Sequence, residues 1–399
     1  MAPDPVQAAA AQNRRARTAV AVLFLTNGAV FANLLPRLPE IKADLALSNA
    51  VYGAAIAAFS AGALAAGLTA ATLIRRFRSS PVAALGTVGI AAFVLLAGVA
   101  PSAAVLAGAL FVAGACDAVT DVAQNAHGLR VQRSYGRSII NSFHAVWAAG
   151  AILGGLMGAA AIALNVSRAV QLGVAAVVLG AVVAAAYPYL LPGPDHDGPD
   201  GSARTGDGTG AGTAVYATLL ALVVIAVAGA AVEDAGSSWA TLYLRDGLGA
   251  PGALAAFGYV ALVGAMFVGR LIGDRLVDRF GERAVVRAGG FLAAAGMGAA
   301  LAFPSVPGTI AGFAATGFGV ATLIPSAMHG ADQLPGLRPG TGLTVVTWLM
   351  RIGFLGAPLL VGLVADATSL RLGLLSVPVA GVVVMLLAGA LSASRPTRS

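Results

Sequence analysis

Twelve runs of about 20 mostly apolar residues, one after another, leave this chain few ways to fold. They cover roughly 18–36, 50–74, 81–100, 103–128, 139–164, 169–191, 214–244, 251–276, 284–303, 307–330, 341–366 and 370–391. A helix of about 20 residues crosses the ~30 Å hydrocarbon layer of a bilayer. Composition agrees: 58% of residues are hydrophobic and 10% charged, against roughly 25% charged in a soluble domain. The expected class is an all-α integral membrane protein with twelve transmembrane helices. The first run follows Arg14, Arg15 and Arg17, but no small-residue cleavage site follows it, so it reads as an uncleaved helix rather than a signal peptide. The net charge of +7 would suit nucleic acid, yet the arginines fall in short clusters between apolar runs, as membrane topology requires. No nucleic-acid partner is expected. The single cysteine, Cys116, supports no disulfide framework.

Segments rich in Lys and Arg stay on the cytoplasmic side. Placing the N-terminus inside puts most of the 24 basic residues there, Arg270, Arg275, Arg279 and Arg283 included. It leaves Arg37, Lys42, Arg168, Arg245 and Arg371 outside and Arg351 within a span. The expectation is a multi-pass protein of the cell inner (plasma) membrane with both termini cytoplasmic. Residues 1–17 form an N-terminal tail, 18–190 one six-helix half, 213–391 the other and 392–399 a C-terminal tail. Between the halves, LPGPDHDGPDGSARTGDGTGAG (191–212) has the Gly, Pro and Asp content of a flexible linker. His196, flanked by Asp195 and Asp197, is read as part of that solvated linker, and neither a metal nor a cofactor is expected.

If the halves are related, one offset should superimpose them, and 203 does so without a gap. RRFRSSPVAALG (75–86) falls on DRFGERAVVRAG (278–289), matching Arg76 with Arg279, Phe77 with Phe280 and Gly86 with Gly289. Elsewhere Lys42 falls on Arg245, Leu45 on Leu248, Gly114 on Gly317 and Gly150 on Gly353. Parallel repeats of this kind occur in transporters whose halves rock about a site near the midplane.

GRLIGDRLVDRFGER, Gly269 to Arg283, resembles the cytoplasmic loop motif of major facilitator superfamily transporters, with Gly273, Asp278, Arg279, Gly281 and Arg283 in the expected places. The resemblance implies a gating loop in which Asp278 and Arg279 latch neighbouring helices. The first-half copy departs from it: Arg75 replaces the aspartate and Arg78 the glycine. RLPEIKADLALS (37–48), DVAQNAHGLRVQRSYGRSIINSFHAVWAAGAILG (121–154) and EDAGSSWATLYL (233–244) are similar to the MosC-like branch of that superfamily. Together these imply two six-helix parallel repeats and a transport function, without indicating the cargo.

Several polar residues lie inside apolar runs, where they are costly and so candidates for function. Asp117, Asp121, Gln124 and Asn125, at i, i+4, i+7 and i+8, share one helical face. In the family resembled, the fourth helix borders the central cavity. At ~1.5 Å per residue, Asp117 and Asp121 lie ~21 and ~27 Å from the outer end, and Asn141 and His144 ~5 and ~9 Å above the inner surface. His144 could therefore meet Asp121 as a proton site, or the group could pin helices four and five together. His127, near an arginine cluster, is expected at the interface. In the second half, Glu233 and Asp234 fall on Val30 and Phe31, just outside the midplane, with Trp239 and Tyr243 approaching the outer aromatic belt. Glu233 is either a coupling acid or a static partner of Arg351. Arg351 could instead hold a substrate carboxylate or phosphate, and Trp348, one turn earlier, could stack on a sugar or aromatic ligand or pack in the core. Asn27 and Asn33 offer hydrogen bonds at cavity depth. Gly150, Gly154 and Gly158, with Gly353, Gly356, Pro358 and Gly362, are close-packing and bending devices.

The reading is a monomeric secondary transporter of a small solute, working by alternating access and coupled to protons. A non-transporting receptor of the same fold, or a drug exporter rather than a nutrient or sugar-type importer, are the alternatives. No GxxxxGK[ST] phosphate loop occurs, Lys42 being the only lysine, and HExxH and GxSxG are missing, so no enzyme is expected.

Overall fold

The computed structural model describes residues 5–135, 139–193, 212–337 and 341–391, with side chains from residue 11 onward except Asn141. It holds twelve helices long and apolar enough to cross a membrane, and no strand among the described residues. They are α1 (Pro5–Ala32), α2 (Asn49–Gly67), α3 (Ser79–Gly98), α4 (Ala103–Tyr135), α5 (Ile140–Ala163), α6 (Arg168–Ala186), α7 (Thr213–Leu242), α8 (Phe257–Phe280), α9 (Glu282–Ala302), α10 (Val306–Val320, continued by Leu323–Asp332), α11 (Thr341–Leu349 and, after a break at Met350, Arg351–Ala367) and α12 (Ser376–Leu387, preceded by the turn Leu370–Gly373). The helices begin close to the expected positions from the second span onward. The first helix starts earlier, so residues 5–17 of the N-terminal tail are helical, and α4 runs on to Tyr135. An apolar run measures the lipid-matched part of a helix, while Ala- and Gln-rich flanks prolong the helix beyond it. For the same reason Arg270, counted with a cytoplasmic loop, sits inside α8. Of the 191–212 linker only its two ends are described, and the 392–399 tail lies outside the described residues.

Two compact units divide the chain: Met1–Ala46 with Ala58–His196, and Leu47–Ala57 with Asp197–Ser399. The first part of α2 thus belongs to the second unit. In the first unit α1 packs on α5, and α3 on α4 and α6. Its core holds Leu23, Phe24, Ala123, Val131, Phe143 and Val183, with the Phe24 and Phe143 rings stacked at 5.4 Å. In the second unit α9 packs on α10 and α12, α8 on α10, and α11 on α7. Glycines bring facing helices backbone-close at equivalent places in the two units: a Cβ on Gly114 of α4 would overlap the carbonyl oxygen of Phe59 on α2, and one on Gly317 of α10 that of Leu262 on α8. Phe59 and Leu262 are themselves 203 residues apart.

The repeat extends to backbone conformation. Ala46 (φ 48°) and Gly249 (φ 69°) are both left-handed, as are Arg78 (φ 69°, ψ 157°) and Gly281 (φ 83°, ψ 151°), each pair at the 203 offset. Arg78 N–H donates to the Ile74 carbonyl and Gly281 N–H to that of Val277, both at 2.7 Å. Arg76 lies 5.5 Å from the Phe77 ring centre, and Arg279 5.3 Å from that of Phe280. Ser102 Oγ accepts from Val105 N–H at 3.3 Å and Ser305 Oγ from Gly308 N–H at 3.2 Å, equivalent caps for α4 and α10.

Candidate solute and proton sites

In the first unit Asp117 is held across three helices. Asn27 on α1 donates from Nδ2 to Asp117 Oδ1 on α4 at 3.2 Å, and its Oδ1 accepts from Trp147 Nε1 on α5 at 2.8 Å. Asn27 is 4% exposed, and both faces of its amide are used. Among the described residues no cation pairs with Asp117. Trp147 carried no signal that could have marked it, since its role comes from a residue 120 positions away.

The rest of the α4 face divides. Asp121 is exposed and accepts from Asn125 Nδ2 at 2.9 Å, while Asn125 Nδ2 also reaches the Asp121 carbonyl at 2.8 Å. Gln124 is fully buried, its Nε2 a distant 3.5 Å from Asp121 Oδ1 and its Oε1 without a hydrogen-bond partner. His144 is exposed and meets the Phe24 ring edge-on at 5.3 Å. The Asn141 side chain lies outside the described residues.

Three expectations change here. His127 is completely buried rather than interfacial, because α4 continues two turns beyond it. Leu191 N–H donates to its Nε2 at 3.2 Å, which leaves the proton on Nδ1 to donate to Ser79 Oγ at 2.9 Å. Asn33 is fully buried instead of lining a solute path: its Oδ1 accepts from Gln171 Nε2 at 2.6 Å, and its Nδ2 points at Met157 Sδ, 3.6 Å away. Arg37, expected outside the membrane in a loop, completes that network at 4% exposure. It donates to Gln171 Oε1 at 2.6 Å, to Glu40 at 2.9 and 3.0 Å, and to the Val166 carbonyl at 2.5 Å. Asn33 is thus occupied in joining α1 to α6.

In the second unit Glu233 pairs with Arg270 Nη2 at 3.4 Å, not with Arg351. Arg270 is 13 residues into α8, ~20 Å along it, which brings it to the level of Glu233. The adjacent Asp234 accepts from Ser238 Oγ at 3.4 Å. Trp239 and Tyr243 are buried rather than placed in an outer belt. Tyr52, from the part of α2 that belongs to this unit, donates to the Ser238 carbonyl at 2.8 Å, and its ring meets that of Trp239 edge-on at 4.9 Å. Arg351 is half-buried and has no hydrogen-bond or ion-pair partner among the described residues. Trp348 is 59% exposed, so it is no core residue.

The loop after α8 turns at Gly281, whose φ of +83° favours glycine. A Cβ on Gly273 would come within 2.8 Å of Thr322 Cγ2. Arg279 lies over the Phe280 ring. Arg283 donates to the carbonyls of Leu391 and Gly389, each at 2.9 Å. Asp278 forms no ion pair among the described residues. No cluster of three or more His, Cys, Asp or Glu able to hold a metal occurs among them.

The sequence profile of the Major Facilitator Superfamily matches residues 20–277. An uncharacterized transporter of Sinorhizobium fredii is 30% identical over 354 residues, covering 88% of this chain and 92% of the relative. Membrane protein MosC of Rhizobium meliloti is 29% identical over 372 residues, covering 92% and 88%. Among solved structures, a point mutant of the nucleoside transporter NupG superposes with a TM-score of 0.77 at 12% identity over 94% of this chain and 99% of that one. A bacterial homolog of the human lysosomal transporter Spinster, inward-facing and occupied, gives 0.71 at 16% over 94% and 95%. At such identities these two structures speak for the fold alone.

Proposed function

Because the chain belongs to the Major Facilitator Superfamily, and so is a multi-pass membrane transporter of small molecules, we propose that it moves its solute by alternating access coupled to protons, with Asp117 as the principal proton-carrying acid. The observation that carries this reading is the Asp117–Asn27–Trp147 chain of hydrogen bonds. A carboxylate inside a membrane span is expensive to keep charged without a cation. Asp117 has only an amide N–H to accept from. Protonation removes the charge that attracts Asn27 Nδ2, and so weakens the link between α1 and α4 while Trp147 still holds Asn27 to α5. Proton binding is thereby converted into a change of helix contacts.

Glu233 is the second coupling candidate. Protonating it releases Arg270, and a freed cation within α8 favours a different helix arrangement. Asp121 and His144 serve as a proton path, Gln124 and Asn125 as solute contacts, and the 269–283 loop as the gate. The protein works as a monomer in the inner membrane with both termini cytoplasmic, the orientation favoured by its basic clusters.

The test is the pH change on adding candidate solutes to proteoliposomes, comparing the native chain with Asp117→Asn and Glu233→Gln. Solute-dependent proton movement lost in Asp117→Asn and retained in part in Glu233→Gln is expected. Equal solute flux in all three without proton movement would reject the coupling and return these acids to a structural role.

A further inference from the structure

The transporter reading says nothing of the cargo, and one side chain in the second unit bears on it. Arg351 lies ten residues after the start of α11 at Thr341, ~15 Å along it and close to the middle of a ~30 Å core. A guanidinium does not lose its proton there, and leaving it unpaired costs a few kcal/mol or more. The obvious internal partner, Glu233, is taken by Arg270. No other acid among the described residues pairs with Arg351.

The side chain is not turned to lipid. Arg351, Pro358 and Gly362 are spaced i, i+7 and i+11, a single stripe along the helix. That stripe packs against α2: a Cβ on Gly53 would overlap the Pro358 carbonyl oxygen, and one on Gly362 would overlap that of Asn49. The lipid-type residues Ile352, Leu360 and Leu363, 52%, 54% and 60% exposed, lie roughly 100–180° round the helix from it. Trp348 precedes Arg351 by three residues, so its open ring lies on the neighbouring turn. The two helical segments of α11 meet between them at Met350, whose φ of −59° and ψ of −24° stay helical, so the i, i+3 relation is kept.

We propose that Arg351 and Trp348 form the recognition pair for an oxyanion carried on a hydroxylated ring, such as a sugar acid or sugar phosphate. The guanidinium fork holds a carboxylate or phosphate through two parallel N–H donors, and the indole face covers the apolar side of the ring. The anion supplies the charge balance that the protein omits, so Arg351 is most stable with solute bound. This deepens the transporter reading and rests on it.

The chain has three tryptophans. Trp147 is bonded to Asn27 and Trp239 is buried, so Trp348 is the tryptophan whose ring is open to a solute, and Trp348→Phe separates its response from theirs. Purified full-length protein is titrated with glucuronate, glucose 6-phosphate and neutral glucose. Saturable quenching by at least one of the two anions, at least about tenfold tighter than any by glucose, is expected. It should be lost in Trp348→Phe, weakened at least about tenfold in Arg351→Gln, and only partly kept in Arg351→Lys, which retains the charge but not the fork. The stronger anion identifies carboxylate or phosphate. A ligand-independent arm places a cysteine by Trp348→Cys in a Cys116→Ser background and compares anionic with cationic methanethiosulfonate reagents. The anionic preference should fall about tenfold when Arg351→Gln is added.

Equal binding of glucose, an unchanged Arg351→Gln titration, no saturable response to either anion, or a labelling preference indifferent to residue 351 would each overturn the proposal. Binding is read at equilibrium without a gradient. Its loss with proton-coupled flux intact rejects the oxyanion, whereas binding without proton movement rejects the coupling.

Discussion

Replacing Arg78 by glycine should stabilise the protein, although it deletes a charged side chain and adds nothing. Arg78 has φ 69° and ψ 157°, a region that is essentially glycine-only and costs other residues about 1–3 kcal/mol. Its 203-residue counterpart is Gly281 in the same conformation. The surrounding backbone bonds are shared: Val82 N–H reaches the Arg78 carbonyl at 3.4 Å, and Val285 N–H that of Gly281 at 3.2 Å. Arg78 is exposed and forms no ion pair among the described residues, so the substitution breaks no ion pair. Against the relieved strain stands the greater freedom of glycine in the unfolded chain, roughly 0.5–1 kcal/mol. The net expectation for Arg78→Gly is a gain of about 1 kcal/mol. Gly281→Ala should lose about 1–3 kcal/mol. Both are read from reversible unfolding of full-length protein in mixed detergent and SDS micelles. A loss of about 1 kcal/mol or more for Arg78→Gly would show that its side chain holds the turn, and the strain argument would be wrong.

Three further outcomes follow from the geometry. Asn27→Leu leaves Asp117 and Trp147 unlinked and should lower solute-driven proton uptake in proteoliposomes by at least about tenfold, as small misplacements of a reacting group do; an unchanged rate removes Asn27 from the machinery. Arg37→Ala leaves the buried Gln171 without its donor and removes the partner of the part-exposed Glu40, and should cost about 1–3 kcal/mol, seen as a lower melting temperature in detergent, with Arg37→Lys only partly restoring it. Gly114→Ala and Gly317→Ala should each cost about 1–3 kcal/mol and by similar amounts, since both push a Cβ into a carbonyl of the facing helix; unequal losses in the same unfolding assay would mean that the two repeats pack differently at this crossing.

The fold was legible because its signals are local or periodic. Apolar runs mark the helices, and a constant offset of 203 marks the repeat down to individual turns: Ala46 with Gly249, Arg78 with Gly281. The sites were only half legible, since a pairing between distant residues leaves no periodic trace. Asp117 was recognisable as an acid in lipid, but its connection to Trp147 passes through Asn27. Of the two readings of Glu233, the static one offered Arg351 as partner where the structure has Arg270, because Arg270 is grouped in sequence with a basic cluster and its depth in a 24-residue helix is not visible there. Arg37 and Asn33 looked like loop and cavity residues, and only Gln171, more than 130 positions away, turns them into a buried strut. Asp234 and Tyr52 gained significance only from what packs beside them.

Two arginines close the ends of the units in the same manner. Arg130 gathers the carbonyls of Leu191, Pro192 and Gly193, and Arg283 those of Gly389 and Leu391. Each unit is therefore tied off at its C-terminal end, and in the first unit this happens just before the stretch 194–211 begins. Cutting the polypeptide there, or splicing a reporter into it, should leave two pieces that co-express and reassemble, which makes this protein a natural candidate for a split transporter.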